Sequence, residues 1–181
     1  MKLDLAYLGN PILRKKGAKI SKITPEIVQL VADMADTMIA NNGIGLAAPQ
    51  VNKSLALFIT QVPIKVSDDP EDHEWEQGDL RVFINPKILD HGSDTWLRDE
   101  GCLSIPGVYG SVERPITILI QATDLDGNLF EEELSWLPAR AFMHENDHIN
   151  GILFLDRMEK EARRKLDQEL AEVKKKYGKG S

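Results

Sequence analysis

Residues 138–151 read PARAFMHENDHING, and this stretch decides how the rest of the chain is read. His144 and His148 stand four positions apart. On a helix that spacing puts both imidazoles on one face, about one turn apart, where they can grip one metal ion. Glu145 then lies beside the water such an ion holds, where a general base belongs. Pro138 opens this helix and Gly151 lies just past its end. It is the only place where two of the four histidines cluster; His73 has no metal-like neighbours at useful spacing.

Working outward, Thr24-Pro25-Glu26 is a helix start, a capping hydroxyl followed by proline in the first turn. Ile27, Leu30, Val31, Met34 and Met38 follow at helical spacing, and Asn41-Asn42-Gly43 ends the run. Leu55–Thr60, Val82–Asn85, Lys87–Leu89 and Thr95–Arg98 read as short strands. Ile116–Thr123 is a stronger one, and Asp126-Gly127 turns it into Leu129–Leu134. A last helix is expected from about Glu159 to Tyr177, with Ala162, Leu166, Leu170, Val173 and Tyr177 as its apolar stripe. Residues 63–81 hold seven acidic residues and two prolines and read as a surface insertion with no assigned role. The expected fold is α+β: antiparallel β-sheets packed around a central metal-binding helix, with an N-terminal helix and a C-terminal helix. At 181 residues the chain suits one domain over 1–181, whose last part, 159–181, is the C-terminal helix and tail.

Composition narrows the function classes. Hydrophobic residues make up 42% and charged residues 28%, ordinary values for a soluble globular protein. No apolar run is long enough to span a membrane, and Met1-Lys2-Leu3-Asp4 lacks the layout of a signal peptide. One cysteine cannot form an internal disulfide, which fits a reducing, cytoplasmic setting. The net charge of −7 is uneven: residues 159–181 carry eight basic and five acidic residues, +3 net, leaving −10 on the remainder. An acidic body argues against direct nucleic-acid specificity. The basic tail reads first as a solvated helix, and second as a weak foot for an acidic partner.

A catalytic metal needs three protein ligands and an open position for water. In the metzincin pattern a third histidine follows the glycine; here Gly151 fits but Phe154 occupies the histidine position. In the thermolysin pattern the third ligand is a downstream glutamate, which makes Glu169 and Glu172 the candidates, with Asp156 nearer but worse placed. Cys102, in Glu100-Gly101-Cys102-Leu103-Ser104, is the better donor. A lone cysteine is usually a small buried hydrophobe, but a thiolate is a strong, soft ligand for a transition metal, and Gly101 permits close backbone approach. The inferred ligands are Cys102, His144 and His148. A third segment, Gly43-Ile44-Gly45-Leu46-Ala47-Ala48-Pro49-Gln50, frees a backbone to approach a ligand. It has neither the ending of a phosphate loop nor GxGxxG spacing, and a tight helix-to-strand turn would also explain it.

Together the three segments resemble the peptide deformylase family, whose motifs are GxGxAAxQ, EGCxS and HExxH. They stand here in the right order as Gly43–Gln50, Glu100–Ser104 and His144–His148. Asn85-Pro86, Ile105-Pro106-Gly107, Arg114-Pro115 and Asp124-Leu125-Asp126-Gly127 extend the likeness over nearly the whole chain. The resemblance implies a hydrolase that removes the formyl group from the N-terminal formylmethionine of new polypeptides and releases formate. It implies Fe²⁺ as the physiological metal, with Zn²⁺ or Ni²⁺ often found in preparations, on Cys102, His144 and His148. Glu145 matches the acid/base, and Gln50 and the Leu103 N–H match the oxyanion donors. The two-glycine loop, Gly43–Gly45, and Gly101 fit a peptide backbone lying against the protein as an added strand, and Ile44, Leu103, Ala141 and Phe142 are expected to line an apolar pocket for the methionine side chain, ordinary core being the alternative. Many members hold the substrate backbone with an arginine where Tyr109 stands here, and an apolar pocket residue is common where Arg140 stands. Met143 and Ile149 replace the usual glutamine and leucine without touching a ligand. In some bacterial members the C-terminal helix docks on the ribosome, and the basic tail is compatible with that. The rival readings are a zinc endopeptidase using a downstream glutamate, and a silent homologue whose metal is structural.

Overall fold

The capping chemistry at Thr24 starts the first helix as the sequence leads one to expect. The Thr24 hydroxyl accepts the Ile27 N–H, Pro25 takes the first turn, and α1 runs Pro25–Ala40. Asn42, at φ 56°, ends it in the left-handed conformation that asparagine tolerates. The computed structural model describes residues 1–69, 71 and 73–178. After α1 come β1 (Gly45–Ala47), β2 (Leu57–Thr60), β3 (Ile64–Lys65), β4 (Trp75–Glu76) and β5 (Arg81–His91). Then follow β6 (Thr95–Cys102), β7 (Ile105–Pro115), β8 (Thr117–Thr123), β9 (Leu129–Ser135) and α2 (Trp136–Ile149). The chain closes with α3 (Lys160–Arg164) and α4 (Asp167–Tyr177). Every pairing between these strands is antiparallel, so the α+β expectation holds.

A five-stranded sheet has the order β1-β2-β5-β8-β9, and β6 and β7 form a separate two-stranded ribbon. β2 is buried at all four positions, and β8 buries Ile118, Ile120 and Ala122 on alternate positions. α2 packs against β1, β2, β8 and β9 of the sheet and against β7 of the ribbon. It buries Ala139–Met143, Glu145 and Asp147–Ile149, most of its circumference. A helix so enclosed can hold polar groups at fixed positions away from bulk water, provided each finds a partner.

The structure departs from the sequence reading in several places, beginning with β1, a short strand inside the segment that read as a turn. The two strands expected on either side of Pro86 are one strand, β5. Asn85 at φ 49° and the register shift between Ile84 and Lys87 make a bulge there, and the Asn85 amide spans the Ile20 N–H and C=O at 2.8 and 2.7 Å. β7 was not expected at all, because Pro106, Gly107, Gly110 and Pro115 read as punctuation. α2 starts two residues before Pro138, with Trp136 at φ 59°. The expected single C-terminal helix is two: Leu166 N–H bonds Arg163 C=O, a three-residue closure that tightens the turn before α4 restarts. Its tail, residues 179–181, lies outside the described residues. The insertion 63–81 contains the β3–β4 hairpin rather than loop alone.

Leu170 and Val173 of α4 bury against Val108 and Val112 of β7 and Phe154, so the terminal helix docks on the ribbon. Each fully buried side chain of this size contributes about 1.5–3 kcal/mol. Among the described residues no helix is long and apolar enough to cross a membrane.

Candidate metal centre

Cys102 lies at the end of β6, where the pairing with β7 shifts register between Gly101 and Cys102. A bulge re-aims the side chain beside it, and here the thiol turns onto α2. Donor atoms of Cys102, His144 and His148 lie within 4.8 Å of one another. The Cys102 Sγ is 3.2 Å from Nε2 of His148. Nδ1 of His144 faces Oε1 of Glu100 at 2.8 Å, which leaves its Nε2 for the shared space. One thiolate and two imidazoles, with a carboxylate behind one ring, are a donor set for a divalent transition ion. Glu169 and Glu172 are exposed on α4, and Asp156 pairs with Arg14, so the downstream-carboxylate alternative has no donor at this place.

Glu145 projects from α2 into the same space. Its Oε2 is buried without a hydrogen-bond partner among the described residues. Burial pushes its carboxyl up to about 7 against the pull of His144; a bound cation would bring it down again. Gly45 stands against this carboxylate, because a Cβ there would lie 2.6 Å from Glu145 Oε1. The space that glycine leaves is therefore taken by Glu145. Gly101 plays the same part opposite Tyr109, whose ring would meet a Cβ at 2.6 Å.

The orientation of Gln50 is set by its neighbours. Its Oε1 accepts the Ala47 N–H at 2.9 Å, so its amide nitrogen must point the other way. That nitrogen donates to Cys102 Sγ at 3.3 Å and to Ser104 Oγ at 3.2 Å. The donor amide is thus held beside the thiol, at the edge of the metal space.

A cleft of roughly 800 Å³ opens over these groups. Gly43, Ile44, Gly45, Gly101, Leu103, Tyr109, Arg140 and Ala141 all line it, together with Gln50, Cys102, His144 and Glu145. Phe142 does not. It is fully buried and meets Phe58 and Phe83 edge-on, each at 5.0 Å between ring centres. Its position in α2 turns it to the sheet, away from the cleft, while Ile44, Leu103 and Ala141, the other three residues expected at the pocket, line it. Arg140 reaches the cleft wall, but its guanidinium is taken by Glu100, Val112 C=O and Trp96 C=O.

The sequence reading missed a buried ion network behind the metal donors. Glu100 binds Arg114 through two bonds of 2.6 and 2.9 Å, Arg140 at 2.6 Å and His144. Arg114 also reaches Asp147 at 3.0 Å, and Asp147 bonds Arg157. Burial works against ionising Glu100, but the bonds from His144 and Arg114 prevail and hold its carboxyl at about 2. The available signal was placement: Glu100 and Asp147 sit inside the two ligand motifs, and Arg114 in a flank of the resemblance.

The polypeptide deformylase family profile matches residues 2–164. A peptide deformylase of Christiangramia forsetii is 40% identical over 97% of this chain and 91% of its own. Peptide deformylase 1B of Arabidopsis thaliana, a chloroplastic and mitochondrial protein, is 39% identical over 97% of this chain but only 61% of its own length. The crystal structure of plant peptide deformylase PDF1B superimposes with a TM-score of 0.86 at 37% identity, covering 99% of this chain and 92% of that one. With the motifs brought to one centre and the match running nearly end to end, the chain belongs to the peptide deformylase family.

Proposed function

We infer that this protein removes the formyl group from the N-terminal formylmethionine of newly made polypeptides and releases formate. The observation that carries this is the convergence, at the floor of one cleft, of the Cys102, His144 and His148 cluster with the unbonded oxygen of Glu145 and the fixed amide of Gln50. The reading extends over 1–181 as one catalytic unit. Cys102, His144 and His148 would hold the ion, which would supply Lewis acidity at this place. The ion is read as Fe²⁺ from the family resemblance, with Zn²⁺ and Ni²⁺ as substitutes that a thiolate and two imidazoles also accept.

The protein's own residues do the rest. Glu145 takes a proton from the attacking water and returns it to the leaving amine. As the formyl carbon becomes tetrahedral, negative charge builds on its oxygen, and the Gln50 amide and Leu103 N–H are the donors for it. One such donor contributes roughly 10²–10³ in rate. β1 is an edge strand of its sheet and β6 pairs only with β7, so the cleft lies between two strand edges. A peptide backbone adds there through Gly43, Ile44 and Gly45 on one side and Gly101 on the other. Tyr109 and Ala141 stand as the walls met by its side chains. The acidic body favours a peptide over nucleic acid. A cytoplasmic setting and a ribosome contact through α4, with Lys174, Lys175 and Lys176 in its last turn, complete the reading.

The test is formate release from a formyl-Met peptide by enzyme purified without oxygen, with metal analysis of the same sample. Glu145→Ala should keep its metal and lose roughly 10²–10⁴ of the rate. A metal-loaded Glu145→Ala enzyme working at the parent rate would refute the assignment.

A further inference from the structure

The acidic insertion is not a detached surface loop. A second hollow, roughly 360 Å³, is lined by Ile39 of α1, Asn42, Gly43, Ile44, Gln61, Pro63, and Trp75, Glu76 and Gln77 at β4. Asn42, Gly43, Ile44 and Pro63 also line the catalytic cleft, so the two depressions are continuous. Three large apolar side chains stay exposed along this shelf: Trp75 at 59%, Ile39 at 53% and Ile44 at 38%. Grouped apolar exposure of this kind, rimmed by charge, marks an interaction surface.

The shelf is tied to the reacting centre by Gln61. Its N–H bonds Ile44 C=O at 2.8 Å, its side-chain amide donates to Gly78 C=O at 3.0 Å, and its Oε1 accepts from Gln77 at 2.8 Å. The base of the hairpin and the loop that carries Gly43 and Gly45 therefore share one anchor. Among the residues that line the shelf Glu76 carries a charge, and none of them is basic, so the charge beside Trp75 is negative.

We propose that the shelf between α1 and β4 is an outer substrate subsite, in which Trp75, Ile39 and Ile44 receive an apolar side chain of the formylated polypeptide beyond its second residue, and Glu76 favours a basic residue next to it. The occupant is the continuation of the substrate itself, since a strand laid between β1 and β6 and extended past Ile44 runs onto this shelf. The proposal rests on the deformylase reading above and adds a selectivity that a dipeptide does not sense.

Three substrates test it: formyl-Met-Ala, a formylated hexapeptide with Leu-Lys-Lys from position three, and its counterpart with Gly-Glu-Glu. The parent enzyme should favour the first hexapeptide over formyl-Met-Ala by roughly five- to tenfold in kcat/KM, as expected for one apolar side chain partly taken out of water on an open shelf. The acidic counterpart should show no gain. In Trp75→Ala the ratio should fall to near one, and in Glu76→Lys the preference for lysine over glutamate should shrink or reverse. Equal values for all three substrates in the parent enzyme, or a ratio that survives Trp75→Ala, overturns the subsite. Self-association that Trp75→Ala abolishes, with no length effect, assigns the shelf to a second copy and also overturns it. Failure to release formate from formyl-Met-Ala by metal-loaded enzyme sinks the deformylase reading instead, and this proposal with it.

Discussion

The carboxylate of Glu100 meets Nδ1 of His144 at 2.8 Å, so the residue two places before the thiol also orients the first imidazole of α2. One short segment of β6 thereby serves two of the three candidate metal donors: it carries Cys102 and backs His144. Such carboxylate–histidine contacts fix the ring and raise its basicity. Glu100→Gln should weaken metal retention about 10- to 100-fold, read as metal content after dialysis against a graded chelator. It also removes the charge that Arg114 and Arg140, both buried, share, and leaves Arg114 only Asp147 as a carboxylate partner. Loss of one partner from a buried pair costs about 3–5 kcal/mol, visible in chemical denaturation. Unchanged metal retention in a folded variant would remove Glu100 from this role.

Gly45→Ala isolates the fit between β1 and Glu145. The new methyl would stand 2.6 Å from Oε1 and 3.0 Å from the carboxyl carbon, so the carboxylate must move. Gly45 lies in a strand and not in the left-handed region, so the backbone accepts alanine. Displacing a catalytic group by about 1 Å costs on the order of 10² in rate. The expected result is a fall in kcat of that size with metal content unchanged. A parent-like kcat would mean that Glu145 has slack the packing does not suggest.

Phe142→Ala separates core from pocket. Phe142 packs with Phe58 and Phe83 between the sheet and α2. Removing the ring should cost about 3–5 kcal/mol of stability. KM for a short formyl-Met peptide, measured at a temperature where the variant is folded, should not change. A KM shift without loss of stability would return Phe142 to the substrate pocket.

Asp156 gives a pH dependence away from the metal donors. Burial works to raise its carboxyl, but the Arg14 guanidinium and the Leu153 N–H outweigh burial and hold it below its ordinary value. A depressed carboxyl stabilises the fold above its unfolded value, about 3.9, and loses that contribution as pH falls through its folded value. The pair is partly exposed, so the effect is modest. Melting temperatures of the parent and Asp156→Asn should differ at neutral pH and converge below about pH 3. A constant gap across that range would remove Asp156 as the titrating group.

Much of the site was legible because its residues announce themselves locally. His144 and His148 are paired by helical spacing, Cys102 is the only thiol, and Gly43–Gln50 carries its own turn chemistry. The helix caps at Thr24 and Gly151 read correctly for the same reason, since a cap is decided within four residues. β7 failed because its ribbon pairing with β6 overrides four residues that locally punctuate a chain. The C-terminal helix divided at Leu166 although its apolar stripe continues across the break.

The sequence by itself determined the α+β class and singled out Cys102, His144, His148 and Glu145 as candidates, because each rests on residue type and short-range periodicity. Tertiary structure alone decided which wall each remaining residue serves. Phe142 turned to the core and Ala141 to the cleft, Arg140 was drawn inward by Glu100, and the acidic hairpin came to rest beside Ile44. These outcomes depend on packing between elements 20 to 100 residues apart in the chain, and no local pattern encodes the angle at which one element meets another.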